Sequence, residues 1–436
     1  MEDLIFKEIF KLKSSKKYKD MEDGERYYFG AHDILHKSRM AIGIDGELAK
    51  IHNLPNNKIL NNQYKIMVDQ KVNYLLGKSP IVSCENQYFL KEIKKFFNRR
   101  FFRTLKNIGV DALNSGIGWL YIFYNEKGDL SFKRFSPLEV LPIWKDKEHS
   151  ELEKLYRVFD VYDHLEDIVN TYVEIYTLEG VTTYEYNKGT KKLLDKRFTA
   201  YFTLDNYNHF WNKIPIVPFK YNFKEIPLLN MVKSLQDGIN SISSRFIDHL
   251  EEDTRNTIMV LVNYDGENLS EFRHNLATYG VVKVSSDGDL KTLEVEVNCE
   301  NYKVILDIFK KALIENACGY DAKDDRLQGN ANQMNIKSMY SSIDLDANSM
   351  EMEFQGSLEE VLWFIKTHLY NNGLGDYEDE ELNFIFNRDI LLNESDIITD
   401  IKNSVDILSL RTLVEQHPYI LNVENEIIRL QEEGKM

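Results

Sequence analysis

The stretch IKSMYSSIDLDANSMEMEFQGSLEEVLWFIKTHLY, residues 336–370, carries a long and regular apolar pattern. Apolar residues recur in it at spacings of three and four, at Ile336, Tyr340, Ile343, Ala347, Met350, Phe354, Leu358, Leu362, Ile365 and Leu369. That period is typical of an amphipathic α-helix, and a continuous helix here would be about 50 Å long. Gly356 is its weak point, because glycine costs about 1 kcal/mol in a helix interior.

Two more helices and a polar loop precede this pattern. The first, 226–257, has an apolar seam at Leu228, Val232, Leu235, Ile239, Ile242, Phe246 and Leu250. Gly238 within it indicates close packing or a bend. A short α/β module follows, with strands in TIMVLVNY, GVVKVS and LKTLEVEV and a helical stretch near 269–277. A second helix spans about 302–317, and the polar run GYDAKDDRLQGNANQ, 319–333, indicates a mobile loop.

The first 222 residues change from helical to β character. Residues 1–115 are predicted to be mostly helical, with one buried face at Tyr64, Met67, Val68, Val72 and Leu75 and another at Leu90, Ile93, Phe97, Phe101, Leu105 and Ile108. Residues 118–222 predict an antiparallel meander, with turns at 125–128, 178–180 and 187–189. The tail, 388–436, is predicted to be helical with a break at His417-Pro418. The fold class is therefore α+β, mainly helical.

Composition bounds the function. The 436 residues predict about two to four compact units, and 43% hydrophobic residues suffice for their cores. The formal net charge of −16 argues against ordinary tight DNA binding, which uses a basic surface. Three widely spaced cysteines indicate reduced thiols, with no disulfide scaffold or zinc site. Without a signal peptide or a membrane-length apolar stretch, we expect a soluble protein that works where it is made.

Two short motifs suggest ligands and are weak. Gly77-Lys78-Ser79 resembles the end of a phosphate-binding loop, but Val72 stands where that loop needs its first glycine. A helix end at Gly77 is the favoured interpretation. His32 and His36 lie four residues apart, but Asp33 follows the first where a zinc protease needs glutamate. Two helix-surface histidines are favoured over a metal site.

Charged clusters are also better explained as surface. Asp321, Asp324 and Asp325 lie in a turn-rich segment, and residues 251–253 lie at a helix end, so neither suits a nuclease metal centre. The run KKFFNRRFFRTLK, 94–106, mixes bases and aromatic residues as single-strand binders do. An amphipathic helix on a domain core explains it better. We therefore predict no catalytic residue, no metal and no cofactor, so the protein is not an enzyme.

Four blocks, in this order, resemble the portal protein family of tailed phages of Gram-positive bacteria. They are NNQYKIMVDQKVNYLLGKSPIV (61–82), GIGWLYIFYNEKGDLSFKRFSPLEVLPIW (116–144), KIPIVPFKYN with LLNMVKSLQDGINSISSRFIDHLEED, and LNFIFNRDILLNESDIITDI with SLRTLVEQHPYILNVENEIIRLQEE. Together they extend from about residue 60 to 433. No single block is as specific as a metal motif, but their order is hard to obtain by chance.

The resemblance implies a portal fold with wing, stem, clip and crown, in a dodecameric ring whose long helices line a central channel. In this sequence the parts are the wing with its antiparallel β meander at 1–224, a stem helix at 225–257, the clip at 258–300, a second stem helix at 301–318, the tunnel loop at 319–335, the long wing helix at 336–370 and the crown at 371–436.

The resemblance also implies the partners and place of the protein. It would conduct double-stranded DNA during packaging and ejection as the head–tail connector at the capsid vertex of the virion, after assembly in the host cytoplasm. The clip would meet the terminase large subunit and later the head–tail adaptor, and the wing would meet the major capsid and scaffold proteins. No membrane is expected.

DNA-facing residues are predicted in the tunnel loop: Lys323, Asp324, Asp325, Arg326, Asn330, Asn332 and Lys337. We hypothesise that the three cations, Lys323, Arg326 and Lys337, lie near the passing DNA backbone. Two alternatives stay open: a metal-dependent nucleic-acid enzyme that uses the acidic clusters, and another connector ring of the head–tail junction. Such adaptors are usually much smaller.

Overall fold

The computed structural model describes residues 2–42, 47–50, 54–163, 168–187, 192–204, 207–253, 258–262, 289–293, 299–321, 333–388, 394–405, 407–417, 419–420 and 423–433. These residues form an α+β fold that is mainly helical, as predicted. They divide into two compact units, as length suggested. The first comprises 1–29, 63–233 and 314–436, and the second 30–62 and 234–313.

The elements are numbered in chain order. The helices are α1 Glu2–Lys13, α2 Lys16–Tyr28, α3 Gln63–Leu76, α4 Gln87–Phe96, α5 Arg99–Ser115, α6 Leu229–Asp253, α7 Cys299–Asn316, α8 Gln333–Asn371, α9 Glu394–Asn403, α10 Leu410–Gln416 and α11 Val423–Glu432. The strands are β1 Met40–Ile42, β2 Leu48–Lys50, β3 Ile81–Ser83, β4 Ile117–Tyr124, β5 Leu130–Phe135, β6 Val140–Trp144, β7 Leu152–Asp163, β8 Ile168–Tyr176, β9 Val181–Asn187, β10 Lys192–Thr199, β11 Phe202–Leu204, β12 Tyr207–His209, β13 Ile216–Lys220, β14 Ile258–Val262, β15 Asp289–Leu293 and β16 Asn383–Ile385.

The prediction of one antiparallel meander over 118–222 is confirmed in part, because only β6 to β10 form such a meander, a five-stranded sheet in the order β10-β9-β8-β7-β6. Strands β4 and β5, which precede the meander in sequence, and β13, which follows it, form a separate three-stranded sheet in the order β13-β4-β5. The turn between β4 and β5 is the predicted one: Asn125 N–H donates to Asp129 O (3.0 Å), and Gly128 has a φ of 82°. Only glycine adopts that left-handed conformation without strain.

Alternation along β7 gives the meander two buried faces. Leu155 packs with Trp119 and Phe135 of the three-stranded sheet. Tyr156, the next residue, packs instead with Ile5 and other residues of α1. Successive strand side chains point to opposite faces, so the first unit is layered as sheet, meander and helix.

Helix α8 confirms the longest sequence pattern. It runs unbroken for 39 residues, and all ten predicted core residues are at most 6% exposed. Phe354 packs against Phe219 of β13, with ring centroids 5.1 Å apart. One continuous apolar face therefore holds the helix against the first unit.

Of three predicted segments, one is divided into two helices, one is described only in part and one is confirmed. The pattern over 87–114 is divided between α4 and α5, because the Asn98 side chain accepts from Arg100 N (2.9 Å) and Phe101 N (3.2 Å) and caps α5. Within 258–300, β14 and β15 pair antiparallel, while the predicted helix near 269–277 and the strand GVVKVS lie outside the described residues. The tail is helical and breaks at His417, as predicted.

The described helices show no span long and apolar enough to cross a membrane.

Two glycines in helix interiors should respond to alanine in opposite ways. A Cβ at Gly356 would meet nothing within 4 Å, whereas a Cβ at Gly24 would lie 1.8 Å from the Asn114 carbonyl oxygen of α5. We expect Gly356→Ala to raise the free energy of unfolding by about 1 kcal/mol. Gly24→Ala should lower it, because the α2 and α5 backbones must separate. Denaturant unfolding of both variants checks this, and equal shifts would contradict it.

Candidate functional site

The predicted tunnel loop is described at its two ends. Lys323, Asp324, Asp325, Arg326, Asn330 and Asn332 lie outside the described residues. Lys337 stands in the second turn of α8 with an exposed side chain. The first end of the loop, 319–321, adjoins a polar cluster of the first unit, and the second end, 333–335, begins α8, which contributes Asp346 to that cluster. We call this cluster the loop anchor and define it as Gln70, Lys71, Tyr221, Tyr320 and Asp346.

Gln70 of α3 holds the first end of the loop. Its Nε2 donates to the Tyr320 carbonyl oxygen (2.9 Å), and its Oε1 accepts from Tyr320 N–H (3.0 Å). The amide thus satisfies both backbone groups of one residue, as a neighbouring strand would. The Tyr320 ring lies 4.5 Å from the Tyr340 ring of α8, centroid to centroid. The start of the loop is therefore tied to α3 and α8 together.

Lys71, the next residue of α3, is only 3% exposed. Its Nζ donates to Asp346 Oδ2 on α8 (2.7 Å) and to the Cys318 carbonyl oxygen (3.4 Å). Tyr221 O–H donates to the other Asp346 oxygen (3.0 Å). Burial and the Asp346 charge raise the pKa of Tyr221 well above its usual range, so its hydroxyl keeps the proton it donates. A buried charge is tolerated only when it is paired and bonded in this way.

The chain turns sharply between α7 and the loop. Cys318 has a φ of 49°, and Gly319 N–H donates to the Ile314 carbonyl oxygen (2.9 Å). A Cβ at Gly319 would lie 2.7 Å from the Met67 sulfur and 2.9 Å from Gln70 Oε1. A side chain there would push the loop away from α3, so glycine lets the loop anchor close.

The first turns of α8 have further ties within the unit. Tyr74 O–H of α3 donates to Asp344 (3.1 Å), and the Tyr74 ring stacks on Tyr340 with centroids 5.8 Å apart. Arg388, beyond β16, donates to Asn348 (2.7 Å) and pairs with Glu351. The second end of the loop therefore also starts from a fixed helix.

Sequence reasoning missed the loop anchor, although a signal existed. Lys71 lies seven residues after Tyr64, on the predicted buried face of α3, and Asp346 lies three residues after Ile343, on that of α8. Opposite charges placed by spacing on two buried faces indicate a pair that joins them. Gln70 carries no such signal.

The predicted stem residues differ in burial. Leu228, Val232 and Ile239 are buried, Leu235, Ile242 and Phe246 are half-buried, and Leu250 is 43% exposed. Within the second unit, α6 and α7 pack closely at Gly238, as predicted. A Cβ at Gly238 would lie 2.5 Å from the Phe309 ring, and the Phe246 and Tyr302 rings lie 5.2 Å apart.

A polar stripe on α6 was not predicted. It consists of Gln236, Asn240, Ser244 and Asp248, spaced by four, and the first three are buried. Asn240 Oδ1 accepts from Asn61 N (3.0 Å), Ser244 Oγ from Ile59 N (2.9 Å) and Asp248 Oδ1 from Asn57 N (2.7 Å). The stripe thus fixes segment 54–62 along this helix, which leaves the apolar seam for other contacts.

The structure places the histidine pair and the Gly77 motif that the sequence analysis considered as weak ligand sites. His32 is fully buried, with Nδ1 2.9 Å from the Asn240 amide nitrogen, and only His36 is exposed. The expectation of two surface histidines on one helical face was therefore wrong, because residues 33–36 form a short 3₁₀ helix. Gly77 directly follows the end of α3, as predicted. Among the described residues, no group of three His, Cys, Asp or Glu side chains could hold a metal ion.

The basic and aromatic run 94–106 is amphipathic, as predicted, although it spans the end of α4 and the start of α5 and does not form one helix. Phe97, Phe101 and Leu105 are buried, while Arg99 and Arg103 are exposed. Phe97 and Phe101 therefore serve the core and not a nucleic-acid base.

Comparison with known proteins agrees with the resemblance seen in the sequence. A family model described as phage portal protein, SPP1 Gp6-like, matches residues 8–436. The portal protein of Bacillus phage SPP1 is 28% identical over 422 residues, which cover 94% of this chain and 82% of that relative. The portal protein of Clostridium phage phiCD119 is 28% identical over 423 residues, which cover 91% of this chain and 89% of the relative.

Replacing Lys71 should destabilise the first unit. Lys71→Met leaves the Asp346 carboxylate without its ammonium partner, so we expect the free energy of unfolding to fall by about 3 kcal/mol. Lys65→Met, on the same helix, removes a half-exposed pair with Asp69 and should cost about 1 kcal/mol or less. Urea unfolding of both variants measures the difference. Equal losses would show that the loop anchor adds no more than a surface pair.

Proposed function

Because the chain belongs to the SPP1 Gp6-like family of phage portal proteins, we propose that it forms a ring at the capsid vertex and conducts DNA through its centre. The observation that carries the proposal is the match over residues 8–436, which leaves no large part of the chain outside the family. The order α6, β14–β15, α7, α8 supports it, since it agrees with stem, clip, stem and long wing helix.

We propose the following division of the chain: wing 1–224, stem helices 225–257 and 301–318, clip 258–300, tunnel loop 319–335, long wing helix 336–370 and crown 371–436. Helix α6 lies within the first stem range, and helix α7 lies within the second except for its first two residues, which fall in the clip range. Segment 30–62, inside the wing range, belongs to the same compact unit as 234–313. We therefore group it with the stem and clip.

Exposed apolar side chains support assembly into a ring. Leu250 of α6 is 43% exposed, and Ile305 and Ile308 of α7 are 43% and 59% exposed. Ile305 and Ile308 are three residues apart and share a face of α7, and neighbouring exposed apolar side chains are typical of a surface that another protein covers. In the proposal the neighbouring subunits bury them, with the dodecamer as the expected ring.

The loop anchor supports a role for the tunnel loop. DNA in a conduit must slide, and a wall that neutralised many phosphates would hold it too tightly. An acidic protein, with a net charge of −16, offers weak phosphate contacts overall. A loop with fixed ends and a few cations can touch the backbone while the helices keep their places.

The proposal assigns the energy-using chemistry to partners. Gly77-Lys78-Ser79 follows a helix end and lacks the preceding strand–loop context of a nucleotide site. We propose that the terminase large subunit docks on the clip during packaging and the head–tail adaptor docks there later. Major capsid and scaffold proteins would contact the wing in the virion, after assembly in the host cytoplasm. The portal itself would have no catalytic residue and no cofactor.

Electron microscopy of the purified full-length chain tests the ring. We expect closed rings with a central hole, and native mass spectrometry should give their subunit number. A cleavage assay with Mg²⁺ or Mn²⁺ on double- and single-stranded DNA is the matched test of the nuclease alternative. Monomers that cut DNA only with metal would contradict the proposal.

Three loop cations should affect DNA and not assembly. We expect the combined variant Lys323→Ala, Arg326→Ala, Lys337→Ala to form normal rings, but to change the packaged DNA length or its retention in the capsid. The control neutralises three exposed lysines elsewhere, Lys127, Lys133 and Lys147. Packaging assays that give the same DNA length and retention for both variants and the parent would refute the assignment.

A further inference from the structure

Helices α4 and α5 expose a dense cluster of positive charge. Its side chains, which we call the basic face, are Lys91, Lys94, Lys95, Arg99, Arg100 and Arg103. Glu92 is the single acid between 91 and 106, and it pairs with Lys95 (2.5 Å). The other five cations form no ion pair with any residue that the structure describes. In a chain of net charge −16, this concentration needs an explanation.

The opposite sides of these helices are fixed in the core. Phe89 and Ile93 are fully buried, and Phe97 packs edge-on against Phe101 and Phe384, with centroids 4.8 and 5.2 Å apart. Asn86 and Asn98 cap the two helices. The backbone that carries the basic face is therefore rigid, and a partner would meet charges that need little ordering.

The same compact unit carries a cleft of opposite charge. Its volume is 720 Å³, and α8 and the segment after it line it, with Leu362, Trp363 and Tyr370 among the walls. Its carboxylates, which define the acidic cleft, are Glu359, Asp376, Glu378, Glu380 and Glu381. All but Glu380 are exposed, and none of these four forms an ion pair with a described residue.

Among the described residues that line the acidic cleft, the one lysine is Lys366, and it does not pair with the carboxylates. Lys366 Nζ donates to the carbonyl oxygens of Glu378 (3.1 Å) and Glu380 (2.6 Å). Its charge thus lies against backbone oxygens of the acidic segment, and the four exposed carboxylates keep no ion pair with a described residue. Glu380 also accepts from the Asn86 amide (2.7 Å), which fixes this segment beside α4. Hydrogen bonds therefore hold the backbone of the acidic cleft in place, as core packing and caps hold that of the basic face.

We propose that the basic face of one subunit docks into the acidic cleft of the next copy of this chain. The inference rests on the proposed ring function. A closed ring joins each subunit to the next through two different, complementary surfaces, and this unit carries both. Tyr370, which is 63% exposed, would give an arginine guanidinium group a flat surface to stack on, whereas the Trp363 ring already carries Lys213, 5.0 Å from its centroid. DNA could also bind a basic face, but a second copy explains both surfaces at once.

Charge reversal of each surface tests the contact. The basic-face variant is Lys94→Glu, Arg99→Glu, Arg103→Glu, and the acidic-cleft variant is Glu359→Lys, Glu378→Lys, Glu381→Lys. All six residues are exposed, and thermal unfolding of the variants checks that each still folds. Like charges would then face each other at every junction, so we expect the ring fraction to fall about tenfold or more. The control reverses Lys127, Lys133 and Lys147 and should leave rings intact.

Recombining the variants gives the decisive result. The chain with all six reversals should form rings again, because the contact is restored with its polarity exchanged. An equimolar mixture of the two single-surface variants should also form rings, with the two chains alternating. Native mass spectrometry would then show equal numbers of each in every ring. A variant that merely folds badly would not be rescued in either way.

The outcomes separate this inference from the proposed function. If both single-surface variants form rings as the parent protein does, the proposed contact is refuted and the conduit proposal still stands. Absence of rings in the parent protein would refute the proposed function itself. If the basic-face variant keeps its rings but loses binding to a DNA duplex in a gel-shift assay, the face belongs to DNA and our inference is wrong.

Discussion

The buried ammonium of Lys71 connects parts of the chain that lie far apart in sequence. It bonds the Asp346 carboxylate of α8 and the Cys318 carbonyl, while Tyr221 satisfies the second Asp346 oxygen. An ammonium this deeply buried is costly unless its donors are used. The geometry of α3, of the turn after α7 and of the start of α8 must therefore agree within hydrogen-bond tolerance. The positions of both ends of segment 319–335 depend on this geometry, because the segment begins at that turn and ends in the first turn of α8.

The sequence predicted those parts of the fold that repeat. The core face of α8 follows from ten apolar residues at helical spacing, and the β4–β5 hairpin follows from turn residues between two β-rich runs. These signals are local, and each is carried by several residues at regular spacing. The division at Asn98 is also local, but it depends on one capping side chain and not on a pattern. Such single contacts are easily overlooked.

The candidate site was predicted much less well, and the reason is physical. Lys71 and Asp346 are 275 residues apart, and Gln70 binds backbone atoms, which any sequence would provide. His32 was expected on a helix surface with His36, four residues later, whereas Asn240 gives it a buried partner. The relatives at 28% identity assign the family and not these individual contacts. Net charge also did not predict the local charge distribution, since a chain with a total of −16 carries a basic surface on α4 and α5.

The two fixed ends of the loop also limit its reach. Eleven residues, 322–332, separate the described ends, and a fully extended chain spans at most about 3.6 Å per residue. The contour length is thus about 40 Å, and a tip that must return to its second attachment extends no more than about 20 Å. Chain length between two attachment points, and not only the charges on the loop, therefore sets the largest gap that this segment could bridge. Each added residue would widen that gap by only about 2 Å.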